Sequence, residues 1–381
     1  MGRRLRGILF ALPGALLAAA GALALPPPQA GPVRPPAIPL ETGEQIWKAG
    51  CVACHGADGG GQPQNVAGFE PPATFPDFAD CATSTVESDL QWRAIITNGG
   101  PARGFSRIMP AFRDLLTPRQ IDLVIAHMRT MCRETAWPRG DLNLPRPMIT
   151  EKAFPESETV VSGAINAQGD AGVGSTVIYE RRIGAKAMWE AFVPYAFART
   201  GGIWRAAFGD LGLGYKRALF HRTETGTIVS AGAELVAPTG SRAAGTGGAS
   251  TVFEGYGAYG QILPASSFVQ LHGGIELPAH PDKVPRAFYL RAAIGRTFAG
   301  GGGLGRRWTP MIEIVGDREL ERGAVMECDV VPQLQIPLNR RMHILGSIAL
   351  KVPAVQAAGR ARQAMFYLLW DWMDGGLAAG W

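Results

Sequence analysis

The stretch Cys51-Val52-Ala53-Cys54-His55 decides how the first part of this 381-residue chain is organised. Two cysteines at positions i and i+3, followed directly by a histidine, form the C-x-x-C-H pattern at which a c-type haem is attached. The two thiols would form thioether bonds to one porphyrin, and the His55 imidazole would bind its iron as an axial ligand. For the pentapeptide alone, a zinc site or a redox-active C-x-x-C pair is the alternative.

A sixth ligand for the iron is expected downstream, and Met109 in the stretch Ile108-Met109-Pro110-Ala111-Phe112 fits best. Gly99, Gly100 and Gly104 precede it and predict a loop that can come close to the porphyrin face. Rival ligands lie further along, on a predicted amphipathic helix: Met128, Met131 and His127. On such a helix a methionine more often packs in a core, and a histidine faces solvent or packs locally.

Two helices are predicted around these motifs. Thr42, with Gln45 three residues later, has the spacing of a capping box at the start of the helix that leads to Cys51. Thr117 as N-cap and Pro118 at the first helical position mark the start of the second helix. The apolar residues of the second helix recur at helical spacing: Ile121, Val124, Ile125 and Met128.

The helix before CVACH, the IMPAF loop and the closing helix occur in this order over roughly 100 residues and resemble a class I cytochrome c. The resemblance implies an all-α domain over residues 40–135 that carries one covalent haem c. It implies haem attachment at Cys51 and Cys54, with His55 as the proximal and Met109 as the distal iron ligand. The segment 62–92 is long for this family and predicts a remodelled wall on one side of the haem.

The five cysteines leave three thiols that the haem does not use. We predict a disulfide between Cys81 and Cys132, which would tie the closing helix to the 62–92 segment; two separate thiols are the alternative. Cys328 is left as a lone buried or lipid-facing thiol. A disulfide fits an oxidising compartment, which is also where a c-type haem is attached.

The first 39 residues predict export. Residues 1–24 combine three arginines, an apolar run and the small residues Ala22 and Ala24, the pattern of a signal peptide; an uncleaved anchor is the alternative. Residues 25–39 are rich in proline and predict an extended tether. The net charge is +5, and the basic residues do not form a stripe along the chain. This distribution argues against a nucleic-acid partner.

After a predicted linker at 136–158, the sequence changes to a period of two that continues over residues 159–381. Val269–Leu277 and Met342–Val352 alternate between apolar and mixed faces, and about twelve such segments are separated by turn-rich stretches. This pattern is typical of an antiparallel transmembrane β-barrel. Aromatic residues at segment ends fit interfacial girdles: Trp189, Trp204, Tyr259, Trp308, Trp370 and Trp372. The final Trp381 resembles the terminal aromatic of outer-membrane barrels.

A soluble β-sandwich or propeller would also alternate, and it is the alternative for this half. The remaining histidines show no spacing typical of a metal site: His221, His272, His280 and His343. An even number of strands places both ends of a barrel on one side of the membrane. The haem domain is therefore expected on the periplasmic side or in the barrel mouth.

The whole plan is similar to the cytochrome–porin fusions of iron-oxidising bacteria, although in those the haem segment is shorter and the barrel larger. The resemblance implies electron transfer at or across the outer membrane, with the barrel as anchor or conduit. The expected partners are membrane lipid, a periplasmic redox protein and an extracellular electron donor or acceptor. A transport barrel with a cytochrome gate, plug or redox sensor is the main alternative. A haem peroxidase, which would need Met109 to leave the iron, is the other alternative.

Overall fold

The computed structural model describes residues 40–61, 72, 75–166, 172–200, 202–301, 304–373 and 375–381. The predicted signal peptide (1–24) and tether (25–39) lie outside these residues. The helices come first: α1 (Gly43–Gly50), α2 (Val52–His55), α3 (Cys81–Ser84), α4 (Asp89–Asn98) and α5 (Pro118–Arg129). Short 3₁₀ turns occupy Gly100–Arg103, Gly140–Leu142 and Arg242–Ala244. Within the described ranges, no helix is long and apolar enough to cross a bilayer.

The two predicted helix starts are confirmed. Thr42 and Gln45 form a capping box at α1, and Thr117 and Gln120 form another at α5, where Pro118 takes the first helical position. Each box satisfies backbone N–H groups that have no partner inside the helix. The Gln120 side chain also donates to the backbone oxygen of Leu40 at 3.2 Å, which ties the start of α5 to the approach to α1.

The core of the helical domain lies where α1 and α5 meet. The predicted apolar stripe of α5 is buried there, against side chains of α1, α4 and the segment before α3. The buried members are Ile46, Trp47, Phe78, Trp92, Ile96, Leu116, Ile121, Val124, Ile125 and Met128. Amphipathic helices of this length gain most of their stability from such packing.

The second half of the chain is a single antiparallel sheet that closes on itself. Its strands are β1 (Glu158–Asn166), β2 (Gly172–Ile183), β3 (Ala187–Thr200), β4 (Ile203–Phe208), β5 (Leu211–Arg222), β6 (Thr227–Ala237), β7 (Val252–Leu263), β8 (Ser267–Pro278), β9 (Ala287–Arg296), β10 (Phe298–Ala299), β11 (Arg307–Glu319), β12 (Glu327–Pro337), β13 (Ile344–Val355) and β14 (Gln363–Asp371). Closure comes from β1, which pairs with both β2 and β14.

In the described residues the barrel wall consists of twelve strands when each interrupted strand is counted once. β4 and β5 both pair with β3 and count as one strand, which is interrupted at Gly209 and Asp210. β9 and β10 both pair with β11 and form another, interrupted at Thr297. The predicted count of about twelve strands and the antiparallel barrel are therefore confirmed.

Side chains alternate between an apolar outer face and a polar lumen. In β8, Leu271 and Ile275 are exposed on the outside, whereas Gln270 and His272 are buried inside. The predicted strand Val269–Leu277 lies within β8, but the predicted strand at Met342–Val352 begins two residues late, at Ile344. Met342 has φ of +64° and ends a turn, which period-two alternation cannot reveal.

The two ends of the barrel differ in the length of their connections. At the end that carries Glu158 and Asp371, three of the connections are short: 184–186, 223–226 and 264–266. At the opposite end the connections include 238–251 and 279–286. We call these ends the turn end and the loop end. Most of the predicted aromatic residues cluster near the turn end, where Tyr179 stacks on Trp372 with ring centroids 6.0 Å apart.

Part of the predicted linker lies inside the barrel, a position that its sequence does not predict. We call residues 143–157 the plug. The plug enters from the turn end and reaches the middle of β11, where the Glu313 carboxylate accepts hydrogen bonds from the backbone N–H groups of Met148, Ile149 and Thr150. Plug atoms also contact side chains of β2, β3, β5, β8 and β14: Glu180, Met188, Lys216, Gln270 and Tyr367. Because these strands are distributed around the ring, the plug crosses the lumen.

Candidate haem site

The C-x-x-C-H stretch is held at the C-terminal end of α1. Cys51 caps α1, and α2 carries the rest of the motif to His55. The indole Nε1 of Trp47, which is buried in the core, donates to the backbone oxygen of Gly56 at 3.1 Å. Gly56 has φ of +76°, and a Cβ there would lie 2.6 Å from the oxygen of Gly61, so glycine is required for this exit turn.

The four residues predicted to bind haem line one cavity of about 650 Å³. Cys51, Cys54 and His55 border it from the motif, and Met109 borders it from the loop before α5. The volume falls in the usual range for cofactor sites, and most of the lining is apolar. The structure therefore brings together side chains that are up to 58 positions apart in the sequence.

The predicted remodelled wall is partly within the described residues. From the segment 62–92, Phe75 stacks on the His55 ring at a centroid distance of 4.9 Å and an angle of 17°. Phe78 lies 5.3 Å from His55 and 5.3 Å from Trp92, which joins this wall to the domain core. No local pattern in the sequence indicates that aromatic side chains of this segment lie at the site.

The loop that carries Met109 is pinned to the end of α4 by backbone hydrogen bonds. Gly100 N–H donates to the Met109 oxygen at 3.0 Å, and Phe105 N–H donates to the Gly100 oxygen at 2.9 Å. A Cβ at Gly100 would lie 2.2 Å from the Ser106 oxygen. The absence of a side chain at Gly100 therefore lets the Met109 loop fold back closely on the end of α4.

The rival ligands lie in two other settings. Met128 borders the cavity but belongs to α5, and its side chain is only 4% exposed within the core. Met131 and His127 border a separate small pocket with Cys81. Of these three residues, only Met128 borders the same cavity as His55, and its side chain is packed in the core of the domain.

The titration of His55 suits ligation of a metal. Burial lowers the pKa of His55 to about 4, so its imidazole is neutral at neutral pH, the form that binds iron. Burial also raises the pKa of the Cys51 thiol to about 11, with a smaller contribution from Cys54. The His55 Nδ1 atom is buried and has no hydrogen-bond partner among the described residues. A neutral imidazole with an unsatisfied nitrogen, two free thiols and a thioether around an apolar cavity fit a c-type haem.

The predicted disulfide between Cys81 and Cys132 is present in the structure, with the two Cα atoms 5.1 Å apart. It joins the start of α3 to the segment that follows α5. Cys328 is a free, partly buried thiol in β12. The described residues contain no cluster of His, Cys, Asp and Glu arranged to hold a metal ion.

Three residues of the second half also border the haem cavity: Arg341, Met373 and Gly375. Arg341 lies in the turn between β12 and β13, and the other two follow β14. The helical domain and the barrel belong to one compact unit, in which this domain lies against the turn end. No local pattern in the sequence identifies these residues, because a contact between the two halves brings them to the cavity.

Comparison with known proteins agrees with this division. Residues 39–128 match the family described as cytochrome C oxidase, cbb3-type, subunit III. A comparison with curated protein sequences gave no match.

Among solved structures, an outer membrane channel from Pseudomonas putida F1 is similar at 13% identity and a TM-score of 0.44, over 60% of this chain and 99% of that chain. The KdgM porin is similar at 8% identity and a TM-score of 0.39, over 56% and 98% of the two chains. The NanC porin has the same coverages and TM-score at 12% identity. The chain thus combines a domain at residues 39–128 that is similar to class I cytochromes c with a barrel that, in the described residues, closes with twelve antiparallel strands.

Proposed function

We propose that this protein carries single electrons at the bacterial outer membrane, with one covalent haem c as the carrier and the barrel as its anchor. The observation that supports this most strongly is the single cavity that gathers Cys51, Cys54, His55 and Met109. A haem ligated by histidine and methionine supplies one-electron redox chemistry at a potential raised by the thioether. The residues of this chain hold that group and set its surroundings.

The ligand pair favours electron transfer over an enzymatic reaction. If His55 and Met109 both bind the iron, no coordination position would remain open for oxygen or peroxide. The Gly100–Met109 hydrogen bond and the close packing of Gly100 on Ser106 hold the Met109 loop in place. The peroxidase alternative would require that loop to open.

The barrel surface supports a location in a membrane. Its outer face exposes large apolar side chains along the strands, and among the most exposed are Leu213, Leu290, Ile294, Ile312, Ile314 and Ile348. Such a surface is stable against lipid and unstable in water. Outer-membrane barrels have short periplasmic turns and longer extracellular loops. We therefore assign the turn end, with the haem domain, to the periplasm, where a soluble redox protein would be the partner.

The plug argues against the transport alternative. It forms hydrogen bonds or ion pairs with side chains of β2, β5, β8, β11 and β14, so it blocks a straight path for solutes. Opening the lumen would break the ion pairs of Arg146 with Glu158 and Glu180. An anchor needs no open lumen, and a closed one also prevents leakage.

The proposal can be tested in sealed liposomes whose barrels all place the loop end outside. A membrane-impermeant reductant is added outside, and ferrous haem is followed by its visible bands. We expect slow reduction in sealed liposomes and immediate reduction once detergent opens them. Rapid reduction in sealed liposomes would instead make the barrel an electron conduit. A haem that stays ferric after opening would contradict the carrier role.

The role of Met109 can be tested separately with Met109→Ala and Met128→Ala. We expect Met109→Ala to open an axial position, so that the reduced protein binds carbon monoxide, whereas Met128→Ala should not bind it. Carbon monoxide binding by the unmodified protein would favour the peroxidase alternative. Binding by Met128→Ala alone would assign the distal position to Met128.

A further inference from the structure

Two arginines cross the contact between the haem domain and the barrel in opposite directions. Arg103 of the haem domain donates from Nη2 to the Leu304 oxygen in the turn before β11, at 2.8 Å. Arg341 of the barrel donates from Nη2 to the Gly104 oxygen, also at 2.8 Å, and its guanidinium lies 4.3 Å from the centre of the Phe105 ring. Both hydrogen bonds therefore involve the short stretch from Arg103 to Phe105.

Both arginines are buried and both border the haem cavity. Arg103 is 5% exposed and Arg341 is 7% exposed, and each lies on the cavity wall. The Arg103 guanidinium has only neutral hydrogen-bond partners in the part of the chain that is described, the Gln91 side chain and the Leu304 oxygen. A buried charge without an opposite charge is costly, so this site calls for an anion.

The surroundings increase this demand. Burial, followed by the positive charge of nearby Arg307, lowers the pKa of Arg103 to about 10, and Glu87 opposes the shift only in part. The Nε and Nη2 atoms of Arg307 are buried and have no hydrogen-bond partner among the described residues. Glu87, which also borders the cavity, acts on both guanidinium groups through its charge but forms no ion pair with either in the described residues. Two neighbouring guanidinium groups therefore lack a paired carboxylate, and Arg103 borders the cavity proposed for a cofactor that carries carboxylates.

The following inference rests on the proposed function. We propose that Arg103 and Arg341 bind the propionate carboxylates of the haem, so that the haem domain and the barrel both bind the cofactor. Arginine is suited to this task because its planar fork binds a carboxylate through two parallel hydrogen bonds. The haem edge that carries the propionates would then face the turn end of the barrel. Arg341 acts here as a positioning residue that the barrel supplies.

The reduction potential gives a readout that a purely structural role would not change. A fixed positive charge near the haem disfavours the oxidised form, so its removal should lower the potential. For Arg341→Gln we expect about a tenfold higher ratio of ferric to ferrous haem at a fixed applied potential, which is 59 mV for one electron. Arg341→Lys keeps the charge and should restore most of the potential.

Arg340→Gln is the matched control, because Arg340 is the exposed neighbour of Arg341 and does not border the cavity. We expect this variant to keep the potential of the unmodified protein. Equal potentials in Arg341→Gln and Arg340→Gln, with haem attached in both, would overturn the inference. Absence of any covalent haem in the unmodified protein would instead contradict the proposed function.

A second measurement needs no substitution. Hydrogen exchange is compared between the haem-loaded protein and the same protein produced without haem attachment. We expect loading to slow the exchange of backbone amides in the barrel turn 338–343, and to leave the turn 223–226 unchanged. Equal exchange rates at 338–343 in the two forms would overturn the inference even if Arg341→Gln fails to assemble.

Discussion

The interiors of the two halves of this molecule are opposite in character. In the helical domain, Trp47, Ile121 and Val124 are packed inside, and the charged groups lie mainly outside. In the barrel, Glu313 and Lys216 are fully buried in the lumen, while leucine and isoleucine side chains cover the outside. Both halves follow one rule, since apolar groups avoid water in each. In the proposed membrane location, lipid surrounds the barrel, so its apolar groups lie on the outer face and its polar groups inside.

The difference shows what each half uses to hold its interior together. The helical core needs shape complementarity among apolar side chains, which tolerates modest exchanges of similar volume. The lumen needs every buried charge to have a partner, because an unpaired charge there costs several kcal/mol. The plug supplies many of those partners, so it acts as the core of the barrel.

The largest expected effect comes from breaking the lumen network with Arg146→Met. Arg146 Nη1 lies 2.6 Å from Glu158 and 2.9 Å from Glu180, so the substitution leaves two buried carboxylates without this partner. We expect a loss of about 3–5 kcal/mol in the free energy of unfolding. The measurement is urea unfolding in lipid vesicles, followed by the circular dichroism of the strands.

Two controls sharpen this prediction. Leu213→Ala, on the lipid-facing side of β5, should change the same transition far less. The triple variant Arg146→Met/Glu158→Gln/Glu180→Gln removes the opposing charges together and should recover part of the loss. A single variant as stable as the unmodified barrel would show that the lumen does not depend on its ion pairs.

The next effect should be confined to the helical domain. The Cys81–Cys132 disulfide closes a loop with a sequence separation of 51, and its removal enlarges the set of unfolded conformations. We expect Cys81→Ala/Cys132→Ala to lower the unfolding free energy of this domain by about 2–4 kcal/mol. Thermal unfolding followed by haem absorbance measures it. Cys328→Ala is the control and should leave this transition unchanged.

A smaller effect should follow from loss of one helix cap. The Thr117 hydroxyl accepts the Gln120 backbone N–H at 3.3 Å at the start of α5. We expect Thr117→Ala to destabilise the helical domain by about 1 kcal/mol, whereas Thr117→Ser keeps the acceptor and should cost less. Urea unfolding of the same domain tests it. Equal stability of Thr117→Ala and Thr117→Ser would show that the side-chain cap does not contribute to the free energy of unfolding.

The smallest effect is a dependence on pH. Burial raises the pKa of Asp89, but the charges and hydrogen bonds of Arg129 and Arg139 outweigh it, so the net pKa is lowered. The stabilisation is therefore present above the unfolded value of about 4 and is lost as the pH falls through the lower folded value. Because the Asp89 side chain is 39% exposed, we expect well under ~1 kcal/mol.

The measurement for Asp89 is the difference in stability between the unmodified protein and Asp89→Asn across acidic pH. That difference should shrink as the pH falls below about 4. A difference that stays constant with pH would show that the ion pairs with Arg129 and Arg139 do not contribute. Other carboxylates cancel in this comparison, because both proteins carry them.

Local patterns predicted much of both halves, for a physical reason. Capping at Thr42 and Thr117 and the spacing of Ile121 and Val124 are properties of a few adjacent residues, so the sequence contains the whole signal. The alternation along β8 is likewise local. The Cys51–His55 motif identified three of the four predicted haem-binding residues in the same way.

What the sequence did not predict depends on contacts between distant segments. The plug occupies a stretch rich in proline whose own composition suggests a connector, and only the barrel wall explains its charges. Arg341 and Met373 reach the haem cavity through the contact between the two halves. The one available hint was the density of opposite charges at Arg146, Glu151 and Lys152, which is unusual for a tether.

The position of the plug also bears on the order in which the barrel assembles. Its last residue is followed directly by Glu158, the first residue of β1, and β1 closes the barrel by pairing with β14 at Asp371. We expect the plug to lie within the curling sheet when the first and last strands meet, because its charges then pair with those of the lumen as both become buried. Closure before that moment would leave the plug outside, with its charges exposed and the lumen charges unpaired. On this expectation, the barrel assembles by wrapping around a segment of its own chain.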